Sequence, residues 1–431
     1  MKLIYEIGNK IINFNISIED NIRLKILIRI FNLINITLIC KNKFLDRTED
    51  ITPDEFDPEK YRHDSENYKP FVSQYTEYKK IENLKTDIKT IAWYLPQFHT
   101  FKENDEWWGE GFTEWANVKK AVPLYKGHYQ PRIPHPDLGY YDLSDINVMR
   151  KQVEIAKNYG LYGFCFYHYD FSGKRLMEKP VDNYLSQKDI DFHFCLSYAN
   201  ENWTKVWDGD VNNVLIKQDH SPNDDLRFIK SLQKYFEDDR YIKVDGKPML
   251  LVYRPLLFPN IRNTTDIWRN YQIKNTGKDL FLIYTRSISK PKIYDAKYYG
   301  FDMYVDFNIH SALFSRRVNT TAENTRSYEK LVEDLINSNI NETRYKELFL
   351  LWDNSARKKN NYFIAENFSF EVYRKWLKYN IEYTRKHFEE DKRFMFINAW
   401  NEWGEGTYLE PDESNGYTAL NILAEELNIN G

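Results

Sequence analysis

The chain has 431 residues, 42% hydrophobic, 16% aromatic and 29% charged, enough apolar material for a large buried core, which excludes a disordered or fibrous protein. Sixty Lys and Arg against 64 Asp and Glu leave a net charge of −4, so no global basic field points to nucleic acid. Cys40, Cys165 and Cys195 cannot build a disulfide framework, the sequence has no Cys-x-x-Cys, His-Glu-x-x-His, Walker loop or dinucleotide fingerprint, and no metal site announces itself among its scattered histidines.

The opening residues lack a basic-then-apolar leader with a small-residue cleavage site, which together with unpaired thiols favours the cytoplasm. Residues 22–40 are the most apolar stretch, but Arg23, Lys25, Arg29, Asn32 and Asn35 interrupt it, and a span needs about 20 predominantly apolar residues. A helix docked on the main domain is expected there, with weak attachment to an anionic membrane surface as the alternative. Residues 46–70 are acidic, polar and hold three prolines, the composition of a linker or surface arm. The expectation is a mostly helical extension and linker over 1–87, followed by one domain over 88–431.

From residue 88, eight short apolar runs recur: 90–96, 162–168, 192–198, 248–253, 280–285, 301–307, 347–352 and 394–400. Segments of helical spacing lie between them, including 144–159, 223–238 and 367–388, with Ser144 as expected N-cap and Gly160 as stop. Strands alternating with helices imply parallel pairing and right-handed crossovers. Eight such units predict a (β/α)₈ barrel of the α/β class, with an open doubly wound sheet as rival. The 302–306 strand and the 286–300 connection carry the weakest signals.

Barrel chemistry sits at the C-terminal ends of the strands. In order, those ends offer Gln97 and His99; His168, Tyr169 and Asp170; Asn200, Glu201, Asn202 and Trp203; Arg254; Asn308 and His310; Asp353 and Asn354; and Asn401, Glu402 and Glu405. In NAWNEWGEGTYLEPD (398–412), Glu402 and Glu405 stand three apart between Trp400 and Trp403, and Gly404 and Gly406 force a tight turn. Residues i and i+3 on one turn face the same way. Two carboxylates beside indoles in a partly dry cleft repel each other and lose solvation, which raises a carboxyl pKa. A proton donor beside a proton acceptor is what glycoside cleavage needs; the bland alternative is a solvated acidic loop.

The segment 93–117 gathers Trp93, Trp107, Trp108 and Trp115 with Glu110 and Glu114. Indole faces suit the C–H faces of sugar rings, and carboxylates suit their hydroxyls; some of these rings must instead pack the loop. In SYANENW, Asn200, Glu201, Asn202 and Trp203 read as hydroxyl-binding groups. Asp208 and Asp210 form an Asp-x-Asp able to hold a divalent ion on a nucleotide sugar, although the Asp-Gly within it is also a turn signal. In LLWDNSAR, Asp353 is either a substrate ligand oriented by Arg357 or the cap of the next helix. His168 and Tyr169 are either rim packing or substrate contacts.

The runs IAWYLPQFH (with Tyr94, Gln97 and His99), WWGEGFTEW, YGFCFYHY, SYANENW, WDNSAR and NAWNEWGEGTYLEPD (which ends in Glu410) together resemble the WbsX-type proteins of bacterial polysaccharide loci. Those proteins are similar to glycoside hydrolase family 99, the endo-α-mannosidases. The resemblance covers roughly residues 88–428. It implies a barrel acting on glycosidic bonds of an oligosaccharide or polysaccharide, as a retaining, endo-acting hydrolase without cofactor. Family 99 carries its two catalytic carboxylates in an Asn-Glu-Trp-His-Glu-Gly segment, matched here by residues 401–406. By that match Glu402 assists the substrate 2-hydroxyl, the internal nucleophile that forms a 1,2-anhydro sugar, and Glu405 serves the leaving oxygen as acid/base. Gly404 stands where the family has His, so the mannoside preference is not carried over. A nucleotide-sugar glycosyltransferase and a non-catalytic glycan-binding barrel remain as alternatives.

Overall fold

The computed structural model describes residues 2–7, 10–15, 74–125, 128–204, 214–286, 295–309, 324–338, 342–358 and 362–429. Two compact units divide the chain, Met1–Phe56 and Asp57–Gly431. In the first, Lys2–Ile7 and Lys10–Asn15 pair antiparallel, with Lys2 opposite Asn15 and Ile7 opposite Lys10. The first residues of the extension thus form a hairpin; apolar β-branched and aromatic residues flank Gly-Asn in the sequence, which is a hairpin signal. The helix expected over 22–40, the linker over 46–70 and Cys40 lie outside the described residues. Among the described residues no helix is long and apolar enough to cross a membrane.

The second unit is built on eight parallel strands at the eight predicted places. They are β1 (Lys89–Tyr94), β2 (Leu161–Phe171), β3 (His193–Tyr198), β4 (Lys247–Val252), β5 (Phe281–Arg286), β6 (Met303–Asp306), β7 (Lys346–Phe349) and β8 (Phe394–Asn398). Their order is β6-β5-β4-β3-β2-β1-β8-β7. The ring closes through Tyr345, just before β7, which accepts from Asp306 N (3.1 Å) and donates to Tyr304 O (3.0 Å). A charged pair reinforces this short seam: Arg344 Nε lies 2.8 Å from the Asp306 carboxylate. Inside the ring, Trp93 packs on Phe396 (5.2 Å between centroids) and Phe307 (5.7 Å). The barrel is filled with side chains, as eight-stranded barrels require.

Helices cover the outside. They are α1 (Lys102–Trp108) and α2 (Glu114–Lys120) in the loop after β1, then α3 (Ile146–Asn158), α4 (Lys179–Ser186), α5 (Pro222–Ser231), α6 (Ile261–Thr276), α7 (Tyr328–Ile336), α8 (Phe370–His387) and α9 (Thr418–Leu427). α3 starts one residue later than expected: Asp145, not Ser144, caps it by accepting from Asn147 N (2.9 Å), while Ser144 N donates to Asp142 Oδ1 (2.7 Å) in the turn before it. Gly160 ends it at φ +85°, a conformation that costs glycine little. The helix expected over 223–238 breaks at Leu232. Residues 74–87, assigned to the extension from sequence, run along the barrel: Lys79 N donates to the Tyr159 hydroxyl (2.9 Å) and Ile81 N to Asn158 Oδ1 (3.0 Å).

Candidate active site

A cavity of about 450 Å³ opens at the C-terminal mouth of the barrel, between the ends of most of its strands. Its acidic side is the loop after β8. Asn401–Glu402 pairs with Thr407–Tyr408, and a tight 3₁₀ turn, Trp403–Glu405, joins them. In a 3₁₀ turn i and i+3 eclipse, so Glu402 and Glu405 project together. Gly406 closes the turn at φ +64°, where an added Cβ would meet Asp353 O at 2.9 Å. The loop is fastened on both sides. Asn401 accepts from Leu95 N (2.8 Å) and donates to Leu95 O (3.0 Å), fixing it to the end of β1. Asp353 N donates to Glu405 O (2.7 Å), fixing it to the end of β7. Trp403 stacks on Tyr408 with centroids 3.7 Å apart and donates from Nε1 to Glu410 Oε2 (2.6 Å).

Arg357, from the loop after β7, joins the acids. Its Nη2 is 2.6 Å from Glu402 Oε1, its Nη1 3.2 Å from Glu405 Oε1 and its Nε 2.7 Å from Glu114 Oε1 on α2. One guanidinium thus faces three carboxylates. The Glu402 side chain is 7% exposed and that of Glu405 26%. Burial drives the Glu402 pKa well above the usual carboxylate value; Arg357 opposes this, and the Glu405 and Glu114 charges add to it. The upward direction prevails, because one cation cannot neutralise three anions taken out of water. Gly404 is forced by the same cluster: an added Cβ would sit 2.0 Å from Glu114 Oε1 and 2.6 Å from Arg357 Nε.

Facing the acids is an aromatic wall. Trp203 lies 5.6 Å from Tyr169, 6.1 Å from Phe171 and 5.4 Å from Trp107, centroid to centroid. Trp107, Trp108, Tyr167, Tyr253 and Trp352 also line the cavity, as do Gln97, Asn104, Asn202 and Asn354. Glu201 stands on the β3 side, paired with Arg254 at 2.8 Å.

Residues 90–423 match the family described as Glycosyltransferase WbsX. The chain belongs to the WbsX family. It is 39% identical over 345 residues to the Uncharacterized protein WxcX of two strains of Xanthomonas campestris pv. campestris, a match covering 78% of this chain and 49% of theirs. The chain thus spans about half the length of the curated relatives it matches. The fold is similar to the GH99 endo-alpha-mannosidase from Bacteroides thetaiotaomicron (TM-score 0.51, 16% identity, 79% of this chain and 97% of that one). It is also similar to a structure described as a glycoside hydrolase-like protein (TM-score 0.52, 15% identity, 83% and 98%).

Of the residues singled out from the sequence, Gln97, Trp107, Trp108, Tyr169, Glu201, Asn202, Trp203, Asn354, Glu402 and Glu405 line the cavity, and Glu114 reaches the acids through Arg357. The others stand behind the wall. Tyr94 points to α3, donating to Gln152 Oε1 (2.7 Å). His99 is buried, and desolvation lowers its pKa to about 4. Trp115 donates to Tyr141 O (2.7 Å), and Trp400 packs on Phe164 in the core. His168 faces the outer helices beside Phe228 and Tyr235, its pKa lowered to about 3 mainly by burial. Strand alternation decides this: on β2, Tyr167 and Tyr169 point inward, so His168 points outward. Asn200 binds the Arg254 backbone through both ends of its amide (2.8 Å each), and neither residue lines the cavity.

Asp353 is the cap weighed above, accepting from Ser355 N (3.0 Å), and its other oxygen takes His128 Nε2 (2.8 Å) and Gln130 Nε2 (2.6 Å). Burial opposes its ionisation, but the His128 and Arg132 charges hold its carboxyl well below the usual range. Asn401 and Trp403 brace the loop as described. Glu410 is fully enclosed, accepting from Trp403, Gln152 Nε2 (2.6 Å) and the Tyr141 hydroxyl (2.9 Å), and burial raises its pKa to about 7. Asp208, Asp210 and His310 lie outside the described residues. Sequence reasoning weighed Arg357 only as an orienter of Asp353 and passed over Tyr167; period-two alternation about Tyr169 would have flagged the tyrosine.

Proposed function

We propose that this protein breaks or transfers glycosidic bonds in a bacterial surface polysaccharide or its precursor, as a retaining, endo-acting glycoside hydrolase whose chemical pair is Glu402 and Glu405. The observation that carries this reading is the convergence of both carboxylates on Arg357 inside an aromatic cavity at the barrel mouth. Indoles and tyrosines stack on a sugar while the acids address its oxygens. Glu402 draws the proton from the substrate 2-hydroxyl, whose oxygen attacks the anomeric carbon; Glu405 delivers a proton to the departing glycosidic oxygen. Burial raises the proton affinity of Glu402, which makes its ionised form a stronger base, and the Arg357 charge is what favours that ionised form. Arg357 holds both groups in register and limits the repulsion between them.

The experiment is turnover of polysaccharides from bacterial surface loci, followed by reducing-end release. Glu402→Gln and Glu405→Gln should each abolish it while leaving the unfolding transition cooperative. Full activity in both variants would remove the assignment. The family description favours a second reading, a transferase using a nucleotide sugar. That enzyme should be stabilised against heat by a nucleoside diphosphate with Mn²⁺, and a hydrolase should not.

A further inference from the structure

The cavity is chemically lopsided. Around the ring, β7 lies opposite β3. On the β3 side, Glu201 and Arg254 satisfy each other. On the opposite side the end of β7 presents donors, and so does the end of β1, which β8 separates from it. Lys358 lines the cavity and is half-buried, yet among the described residues no carboxylate lies within 4.0 Å of its ammonium. Its neighbour Arg357, by contrast, engages three. Gln97 and Trp352, each 6% exposed and lining the same cavity, carry side-chain N–H groups, Nε2 and Nε1, with no acceptor. Asn354 has its amide oxygen occupied by Phe363 N (2.7 Å).

Buried donors without acceptors are destabilising in an empty protein, and the Lys358 ammonium leaves a positive charge at the same wall with no anion beside it among the described residues. Water or a neutral sugar hydroxyl would satisfy Gln97 and Trp352. Neither would neutralise Lys358. A carboxylate, which accepts only and carries one negative charge, does both. We propose that the sugar bound on this side bears a carboxylate, as a uronic acid does, with Lys358 as its counter-charge and Gln97 and Trp352 as its neutral donors. The substrate of the proposed reaction is then an acidic glycan. This rests on the reading of the cavity as a saccharide site, but not on which acid does what.

The test is calorimetric titration of the full chain with glucuronate, glucose and glucose 6-phosphate at low and high salt, on the native protein and on Lys358→Met, with thermal unfolding to verify that the variant is folded. Glucuronate should bind about tenfold or more tighter than glucose, the difference shrinking with salt and vanishing in Lys358→Met. Equal affinity for glucuronate and glucose, no detectable glucuronate binding at millimolar concentration, or a preference that survives Lys358→Met overturns the proposal. Tighter binding of glucose 6-phosphate than of glucuronate also overturns it, assigning a phosphoryl group instead. The two readings fail separately. Cleavage of neutral glycans alone would sink the carboxylate and leave the hydrolase. Salt-sensitive glucuronate binding without turnover of any acidic glycan would do the reverse.

Discussion

Adding a single methyl at Gly404 tests whether the Glu114–Arg357 pair is what holds the acids. The Gly404 backbone lies outside the left-handed region, so the effect of Gly404→Ala is steric alone. The new carbon would stand 2.0 Å from Glu114 Oε1, 2.6 Å from Arg357 Nε and 2.9 Å from Glu114 Cδ. Ordinary contact requires the carboxylate to retreat by about 1 Å or more. Glu114 is 1% exposed and cannot swing into water. Its retreat lengthens the 2.7 Å bond to Arg357, and Arg357 then loosens on Glu402 and Glu405. Overpacking of this kind costs about 1–3 kcal/mol, and full rupture of a buried pair about 3–5. Gly404→Ala should therefore lose about 2–4 kcal/mol in denaturant unfolding, together with most activity. Pairing it with Glu114→Ala removes the obstacle, so the double variant should be less destabilised than the sum of the singles by about 1 kcal/mol or more. A Gly404→Ala protein within about 0.5 kcal/mol of the native one, or strict additivity, would refute the reasoning.

Asn401→Ala removes a two-way clamp on Leu95 and strands a buried N–H and a buried C=O, each costing about 1–3 kcal/mol, so unfolding should show a loss of at least about 2. Glu410 has a pKa of about 7 in the folded chain, above the usual carboxylate value, so the folded state binds the extra proton. Its contribution to stability is complete below about pH 4.5 and is lost as pH rises toward 7 and past it, at up to about 1.4 kcal/mol per unit. Glu410→Gln should flatten that stretch of the stability–pH curve; an unchanged slope would show that Glu410 does not titrate there. Trp203→Ala should weaken oligosaccharide binding about tenfold in titration calorimetry without moving the unfolding midpoint by more than a few degrees.

Much of this protein was legible in one dimension because the relevant physics is local. Strands buried on both faces must be continuous apolar runs, and eight of them with helical intervals leave few architectures. The tight Gly-punctuated turn around Glu402 and Glu405 is likewise a matter of neighbouring residues, so its paired acids could be recognised before any fold. The rest depends on which way side chains point and on contacts far apart along the chain. Arg357 meets Glu114 across 243 positions, and no spacing rule announces such a contact. His168 and Tyr169, adjacent and both polar, were separated by the pleat of β2. Asp353, Asn401 and Glu410 read as substrate ligands because they end strands or close motifs; only packing revealed that their polar atoms are already taken by protein partners. The sequence by itself determined the barrel and the acidic turn; the tertiary structure decided which polar groups are left facing the cavity, since that depends on what every other buried group has already bonded.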